Sequence, residues 1–304
     1  MCYDTAVIHG ASCVQDDNRT CSYVLTTSSP NTRGIVAGFT TLLSEIGADI
    51  TEAHQYGDID TDRFFMRLVF SYSGTADDFR KLEERLQAVA MRVGATISLK
   101  TADARARVLI MVSRFDHCLL DLLYRLRVRE FPAEIVGVVS NYPKEDFANI
   151  DLRGMPFHYL PVTAATKAKQ EQKLLDIVQQ SAVDLVVLAR YMQVLSDDAA
   201  KALSGRCINI HHSFLPGFKG ARPYQQAKER GVKIIGATAH YVTGDLDEGP
   251  IIEQDVERIS HLDSLDDIVR KGRDIERRVL AGAVRNHLEG RVFINGKTTV
   301  VLHN

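Results

Sequence analysis

The sequence predicts an α/β protein of two domains, in which a small unit with the element order βαββαβ precedes a larger unit built on a mainly parallel sheet. The first observation is length, because 304 residues exceed what a single domain usually holds. The second is a change of pattern near residue 108. Before it, strands and helices follow the order of a small βαββαβ unit. After it, the strands are apolar throughout and alternate with helices, as in sheets covered on both faces.

Composition and charge narrow the class of partner. With 45% hydrophobic and 25% charged residues, the chain has enough apolar side chains for packed cores. Its formal charge of -2 provides no field for nucleic acid or an acidic membrane, so we expect a small-molecule partner. The five cysteines lack metal-site spacing and suit a reduced cytoplasm. Neither a signal peptide nor an apolar run of about 18 residues is evident, which predicts a cytoplasmic location.

The first unit is expected over residues 21–100, after an N-terminal arm at 1–20 that has no clear period. A strand is predicted at 22–27, followed by a helix whose apolar face repeats at helical spacing. Two strands joined by the acidic turn GDIDTD come next, then a second amphipathic helix and the strand ATISL. This order is that of a ferredoxin-like unit. The residues on the two helix faces are Ile35, Phe39, Leu42, Leu43, Ile46, Phe79, Leu82, Leu86 and Val89.

Three segments of this unit, GIVAGFTTLL, GADITEAHQY and FFMR, resemble the ACT family of small regulatory domains. The resemblance covers about residues 20–100 and departs from the family at the turn SSPNTRG. It implies paired copies that bind an amino acid, so methionine or glycine as effectors and a homo-oligomer are expected. The alternative is a domain that only packs and dimerises, because a fold alone does not establish a regulatory site.

The second domain is expected over residues 108–304, after a polar linker at 101–107. Apolar strands alternate with helices up to VDLVVLA at 183–189, which predicts a Rossmann-like parallel sheet with ligands at the carboxyl ends of its strands. The loop SRFDHC after the first strand lacks the glycines of a phosphate-binding turn. The loop ARYMQVLS contains apolar side chains that suit a flat heteroaromatic ligand, or that belong to a plain strand-to-helix connection. The chain ends in a hairpin turned by Asn295-Gly296, expected to pack on this domain.

Four polar residues near two adjacent strand ends predict the reactive site. Asn209 and His211 lie on one side of the strand after Cys207, whereas His240 and Asp247 belong to the next strand and its loop. An amide donor, an imidazole and a carboxylate together suit attack on a carbonyl carbon. Taken singly, these residues are as readily a turn amide, a core histidine and a loop cap. A metal site that includes the neighbouring His212 is a lesser alternative.

The stretches NIHHSFLPGFKGARPY and AHYVTGDLDEGPII resemble the motifs of the folate-dependent formyltransferase family, from about Val108 to Leu288. The resemblance implies a 10-formyltetrahydrofolate substrate and no metal or other cofactor. It assigns Asn209, His211 and Asp247 to catalysis and His240 to a supporting position. The pterin would lie against the ARYMQVL and TGDLD loops, through the residues Arg190, Tyr191, Met192, Val194, Leu195, Thr243 and Asp245.

The hydrolytic branch of that family is the closer resemblance. SRFDHCLLDLL replaces the phosphate loop of relatives that formylate a ribonucleotide amine, and His212 stands where those relatives usually have proline. In this branch water would take the formyl group and formate would leave, which balances the one-carbon folate pool and supplies purine synthesis. Asp247 would orient the water while His211 and Asn209 hold the formyl oxygen. Formyl transfer to an amine and a non-catalytic folate or amino-acid sensor remain the alternatives.

Overall fold

The computed structural model describes residues 7–9, 20–217 and 223–303. The chain divides into two compact units. One contains 1–104, 289–295 and 300–304, and the other contains 105–288 and 296–299. Within the described ranges, no helix combines the length and the apolar character needed to cross a bilayer.

The first unit is a five-stranded sheet with two helices. Its elements are β1 (Val7–His9), β2 (Thr20–Pro30), α1 (Ile35–Glu45), β3 (Asp49–Asp58), β4 (Arg63–Ser73), α2 (Ala76–Val93) and β5 (Thr96–Thr101). The strand order β1-β5-β2-β4-β3 contains the ferredoxin-like order that the sequence predicted, and it is consistent with an ACT-like domain. Within the expected arm, β1 adds a parallel strand beside β5; residues 1–6 and 10–19 lie outside the described residues.

The apolar faces of α1 and α2 meet the sheet as their spacing predicted. Phe39 and Leu43 of α1 and Leu86 of α2 are fully buried against the central strands of the sheet. A capping box at Thr75 starts α2: its hydroxyl accepts from the amide of Asp78, and the Asp78 carboxylate accepts from the amide of Thr75. Two amphipathic helices on one sheet face are enough to close a core of this size.

The C-terminal hairpin lies mostly in a different unit from the one that the sequence predicted. Its strands are β13 (Val292–Asn295) and β14 (Thr298–Val301), turned at the predicted Asn-Gly pair. Most of this segment belongs to the first unit rather than to the second domain. Arg67, buried in the ferredoxin-like sheet, donates from Nε to the carbonyl of Glu289 at 2.9 Å, and Asn295 donates to the Asp58 carboxylate at 2.6 Å. The tail therefore satisfies a buried cation of a distant segment, which local pattern does not reveal.

The second unit is a seven-stranded sheet with helices between its strands. A 3-10 turn occupies Lys144–Phe147. The other elements are β6 (Ala106–Val112), α3 (His117–Arg127), β7 (Ala133–Ser140), β8 (Phe157–Tyr159), α4 (Lys167–Gln180), β9 (Leu185–Leu188), α5 (Asp197–Ala202), β10 (Cys207–His211), α6 (Pro223–Glu229), β11 (Ile234–Tyr241), β12 (Ile251–Arg258) and α7 (Leu265–Leu288).

This sheet has the strand order β12-β11-β10-β9-β6-β7-β8. Strands β6 to β10 are parallel to one another, whereas β11 and β12 are antiparallel to their neighbours. The predicted mainly parallel, Rossmann-like domain is therefore confirmed. The chain leaves β6 first toward β7 and later returns to β9, so a crevice is expected at the carboxyl ends of β6 and β9.

The described cysteines differ in state. Cys118 and Cys207 are free thiols inside the second unit, and burial raises the pKa of both. Neither thiol has the exposed, thiolate-favouring surroundings of a reactive cysteine. Cys21 is disulfide-bonded, contrary to the expectation that all the cysteines are reduced.

Candidate active site

The pairing of β10 with β11 sets Asn209 directly opposite His240. Strand β10 continues to His211, and its pairing with β11 extends to Thr238. Asn209 donates from Nδ2 to Nε2 of His240 at 3.2 Å, and His240 donates from Nδ1 to the carbonyl of Tyr241 at 2.8 Å. Both ring nitrogens of His240 are thus engaged, which fixes the ring and orients the Asn209 amide.

Asp247 completes the group from the turn between β11 and β12. Its Oδ1 lies 3.2 Å from Nδ1 of His211 and 3.7 Å from Nε2 of His240. The backbone of Asp247 has φ of 57°, a left-handed conformation that costs about 1 kcal/mol or more for a non-glycine residue. This conformation turns the carboxylate back toward β10. The structure therefore brings together all four residues that the sequence placed at adjacent strand ends.

Asp247 is an anion under all ordinary conditions. Burial raises its pKa, but the hydrogen bond from His211 and the neighbouring His240 outweigh burial and hold the pKa well below the ordinary carboxyl value. Because the folded-state pKa is depressed, the contribution of the pair to stability is present above the unfolded carboxyl pKa. That contribution is lost only as the pH falls through the lower folded-state value.

We expect the Asp247 carboxyl carbon to show no titration at pH 4 and above. Carbon-13 NMR of protein labelled at aspartate carboxyl groups, assigned by comparison with Asp247→Asn, measures this directly. A free aspartate titrates near pH 3.9. A midpoint for Asp247 at or above that value would contradict the ion pair described here.

The Asp247 turn depends on a glycine two residues later. A Cβ built on Gly249 would lie 1.7 Å from the carbonyl oxygen of Tyr241, because the two backbones cross closely there. We expect Gly249→Ala to destabilise the protein by about 2 kcal/mol or more and to lower activity, as measured by thermal unfolding and turnover. Gly282→Ala in α7 is the matched control, since its Cβ would make only ordinary contacts. That control should leave stability equal or higher; equal unfolding temperatures for both variants would refute the turn's role.

A cleft of about 440 Å³ opens beside these four residues. Six of the seven expected folate contacts line it, namely Tyr191, Met192, Val194, Leu195, Thr243 and Asp245. Gln193, Gly244 and Leu246, which belong to the two loops expected to face the pterin, also line it, as does His212. Leu188, Ile210 and Val242 line it as well and were not predicted. The apolar side chains of Met192, Val194 and Leu246 are each more than half exposed here. Apolar walls with a few polar groups at one end are typical of small-molecule sites.

Arg190, the seventh expected contact, is not among the residues that line the cleft. Its backbone has φ of 64°, and its guanidinium is buried with Nε 3.2 Å from Oε2 of Glu276 on α7. Glu276 also accepts from Nε2 of His117 at 2.8 Å and from the hydroxyl of Tyr224. Burial raises the pKa of Glu276, but the hydrogen bond from His117 and the charge of Arg190 lower it by more than burial raises it. The pKa is therefore below the ordinary carboxyl value, and the carboxylate is charged.

The sequence analysis missed Glu276, His117 and Tyr224. One signal was present for Glu276, since it directly follows Ile275 and lies three residues before Val279 on the apolar face of α7. A charged residue on a buried helix face requires partners. Its partners come from α3, α6 and the loop after β9, and no local pattern connects those segments.

His212 and Ser213 are neighbours of the group, as the sequence suggested. The ring of His212 is stacked on that of His211 at 5.2 Å. Burial, helped by the nearby Arg190, lowers the pKa of His212 to about 3, so this ring is neutral at physiological pH. The residues weighed as metal ligands do not form a cluster with ligand spacing. Within the described ranges, that spacing occurs at His117, Cys118 and Glu276, where the Arg190 cation already pairs with the carboxylate.

The arrangement has a definite chemical capacity. A permanent carboxylate, an imidazole paired with it and an oriented amide meet at one end of an apolar cleft. Amide and imidazole N–H groups stabilise negative charge that develops on a carbonyl oxygen, and the carboxylate can orient a small nucleophile. The site therefore suits reactions at the carbonyl carbon of a ligand that has a flat apolar body.

Comparison with known proteins places this geometry in context. Residues 106–284 match the family model described as formyl transferase. The chain is 47% identical over 280 residues to the formyltetrahydrofolate deformylase of Corynebacterium sp. strain P-1, covering 92% of this chain and 98% of that protein. The crystal structure of formyltetrahydrofolate deformylase from Burkholderia mallei is 48% identical with a TM-score of 0.87, covering 93% and 100% of the two chains.

A more distant likeness involves a transferase. Glycinamide ribonucleotide transformylase 1 from Symbiobacterium toebii is 30% identical with a TM-score of 0.60. The match covers 66% of this chain and 95% of that one. Similarity to the deformylases thus extends over nearly the whole chain, whereas similarity to this transferase extends over two thirds of it.

Proposed function

The chain belongs to the formyltetrahydrofolate deformylase family, and on that premise we propose that it hydrolyses 10-formyltetrahydrofolate to tetrahydrofolate and formate. The observation that carries this proposal is the Asn209, His211, His240 and Asp247 group at the end of an apolar cleft. A water oxygen bonds to the formyl carbon, the bond from that carbon to N10 breaks, and N10 takes a proton. The products are one tetrahydrofolate and one formate.

Asp247 orients the attacking water in this proposal. As a carboxylate that stays ionised, it accepts a hydrogen bond from water, places the oxygen near the formyl carbon and helps move the water's proton toward the departing N10. Its low pKa makes it a weak base. Its main contribution is therefore position and negative charge, and the leaving amine is the final proton acceptor.

His211 and Asn209 hold the formyl oxygen as it becomes an oxyanion, which requires the His211 ring to have a proton on Nε2 as well as on the Nδ1 atom that donates to Asp247. The Nε2 atom of His211 is buried and has no hydrogen-bond partner among the described residues. An unpartnered buried polar atom costs about 1 to 3 kcal/mol, and the substrate oxygen would relieve that cost. Asn209 uses one amide hydrogen on His240 and retains a second for the same oxygen. His240 supports the reaction by keeping the Asn209 amide oriented.

The folate lies in the cleft beside this group. We assign its flat pterin to the apolar walls of Met192, Val194 and Leu195, with Tyr191 at the base of the cleft and Thr243 and Asp245 at its polar edge. Burial raises the pKa of Tyr191 to about 12, so its hydroxyl stays protonated. The buried ion pair of Arg190 with Glu276 argues against direct folate contact by that guanidinium.

Formate release without an added acceptor is the direct test. Purified protein incubated with 10-formyltetrahydrofolate alone should yield equal amounts of formate and tetrahydrofolate, measured by a coupled formate assay and by absorbance. The rival function is formyl transfer to an amine, which the likeness to the transferase structure favours. Absence of formate until an amine is supplied would support the rival and overturn hydrolysis.

No step of this mechanism uses a metal ion or other cofactor. We therefore expect dialysis against EDTA to leave the rate of formate release unchanged within about two-fold. A loss of activity that is restored by one divalent cation would overturn this part of the proposal. The His117, Cys118 and Glu276 cluster would then be the first place to search for the ion.

The ferredoxin-like unit is proposed to bind an amino-acid effector, with methionine and glycine as the candidates. A groove between α1 and α2 contains the Glu45 to Arg85 ion pair together with Arg92, which suits the two charged groups of an amino acid. Turnover measured during titration with each amino acid tests this. If turnover does not change with either amino acid and calorimetry detects no binding, the domain only packs and dimerises. Turnover itself would exclude a purely non-catalytic sensor.

A homo-oligomer is proposed for the same unit. Strand β3 is the outer strand of its sheet, and a second copy can pair with such an edge. Light scattering of the purified protein measures the mass. A cytoplasmic location and a supply of formate to purine synthesis are proposed together with the hydrolytic function. Growth of a deletion strain that depends on added formate would test the supply of formate.

A further inference from the structure

A buried charged cluster lies near the reactive group but outside the residues that line the folate cleft. We define the acceptor-side cluster as His117, Arg190, Tyr224 and Glu276. Glu276 is 1% exposed and receives contacts from all three of the others. They come from the start of α3, the loop after β9 and α6, so the cluster fills space where three segments converge on α7.

This cluster is continuous with the reactive residues. The ring of Tyr224 lies at 6.3 Å from that of His212, and His212 is stacked on His211 at 5.2 Å. His211 in turn pairs with Asp247. The neutral His212 ring is therefore a flat spacer between Tyr224 and the proposed oxyanion-binding imidazole.

Tyr224 is packed closely on its α7 side, whereas its other side borders, together with His212, a cavity of about 150 Å³ lined by residues of α6 and β11. A Cβ built on Gly272 of α7 would lie 2.2 Å from the Tyr224 ring, so the ring already rests against the helix backbone. The crevice at the carboxyl ends of β6 and β9 is also closed. The amide of Ser113 donates to the carbonyl of Arg190 at 3.3 Å, and the amide of Met192 donates to the hydroxyl of Ser113 at 2.9 Å.

The free volume beside the formyl carbon decides which nucleophile can reach it. An amine acceptor brings a substituent that has to lie beside the reacting carbon, whereas water brings none. If the folate occupies the 440 Å³ cleft, the substituent has to lie outside the cleft, and the crevice at the carboxyl ends of β6 and β9 is the place expected for it. That crevice contains His117, Arg190 and Tyr224.

We propose that the acceptor-side cluster determines the specificity of the reaction by excluding amines from the crevice, which leaves water as the nucleophile. This inference rests on the proposed hydrolytic function and explains why water, rather than an amine, receives the formyl group. When the crevice is opened, an amine nitrogen attacks the formyl carbon and the bond to N10 breaks. N10 takes the proton that the amine loses, and the products are a formamide and tetrahydrofolate.

The test measures how the formyl group partitions between water and amines. His117→Ala and His117→Ser shorten a side chain that is 13% exposed, and they leave Glu276 paired with Arg190 and Tyr224. Each variant is incubated with 10-formyltetrahydrofolate and either hydroxylamine, methylamine or glycinamide, and formate and formylated amine are quantified. We expect only formate from the unmodified protein and at least about 10% formylated amine from the variants. The double change His117→Ala with Tyr224→Ala should raise that share.

A matched control separates volume from hydrogen bonding. Tyr224→Phe removes the hydroxyl that Glu276 accepts but keeps the ring in the crevice, so its products should remain formate alone. Variants that fold by circular dichroism but give the same product ratio as the unmodified protein, or give neither product, would overturn the inference. The serine variant keeps the test available if the alanine variant does not fold. Absence of formate from the unmodified protein would instead refute the proposed function itself.

Discussion

Replacing Asp247 with asparagine is expected to lower kcat for formate release by about 1,000-fold or more while changing folate affinity only a few-fold. The substitution keeps the shape of the side chain and removes its charge. The His211 imidazole then loses the anion at 3.2 Å, and the attacking water loses its acceptor. A loss of 1,000-fold corresponds to about 4 kcal/mol of transition-state stabilisation.

Glu248→Gln is the matched control for Asp247→Asn. It makes the same change of net charge one residue along the chain, at an exposed position that does not line the cleft. Steady-state formate assays and tetrahydrofolate binding are measured for both variants. Turnover by Asp247→Asn within ten-fold of the unmodified protein, or an equal loss in Glu248→Gln, would contradict the role assigned to Asp247.

The reactive group was predictable because its chemistry is local in sequence. Asn209 and His211 share one strand, and the turn residues around Asp247 bring the carboxylate back to the neighbouring strand. Alternation of side chains along β10 was enough to place the first two on one side. The left-handed backbone of Asp247 and the close crossing at Gly249 needed coordinates, since each depends on contact with Tyr241 or His211.

Interactions between distant segments explain what the sequence analysis missed. Arg190 was assigned to the folate because it belongs to the ARYMQVL loop, against which the family resemblance implied that the pterin lies, but a buried carboxylate 86 residues later in the chain pairs with its guanidinium. The C-terminal hairpin was assigned to the second domain because it follows α7, but Arg67 and Asp58 bind it to the first unit. In both cases a buried charged side chain pairs with a group that is close in space but distant in the chain. The spacing of apolar residues along the sequence does not reveal such pairs.

Two substitutions of Asn209 test whether its amide donates a hydrogen bond to the developing oxyanion. Asn209→Ala removes the amide donor, and we expect kcat to fall by about 100-fold or more, as for the loss of one oxyanion donor. Asn209→Asp has nearly the same shape but replaces the donor with a carboxylate. We expect a loss of at least about 1,000-fold at pH 7, because the new anion would face the developing negative charge and would lie beside the Asp247 anion.

The pH dependence of the two Asn209 variants separates charge from geometry. Like charges raise the pKa of a carboxyl group, so the introduced carboxylate should take up a proton as the pH falls, and a protonated carboxyl group donates a hydrogen bond. The ratio of Asn209→Asp to Asn209→Ala activity should therefore rise between pH 7 and pH 5. Formate release measured across that range checks this expectation. A ratio that stays constant, or Asn209→Asp activity above about 10% at pH 7, would mean that the Asn209 amide does not donate to the reacting oxygen.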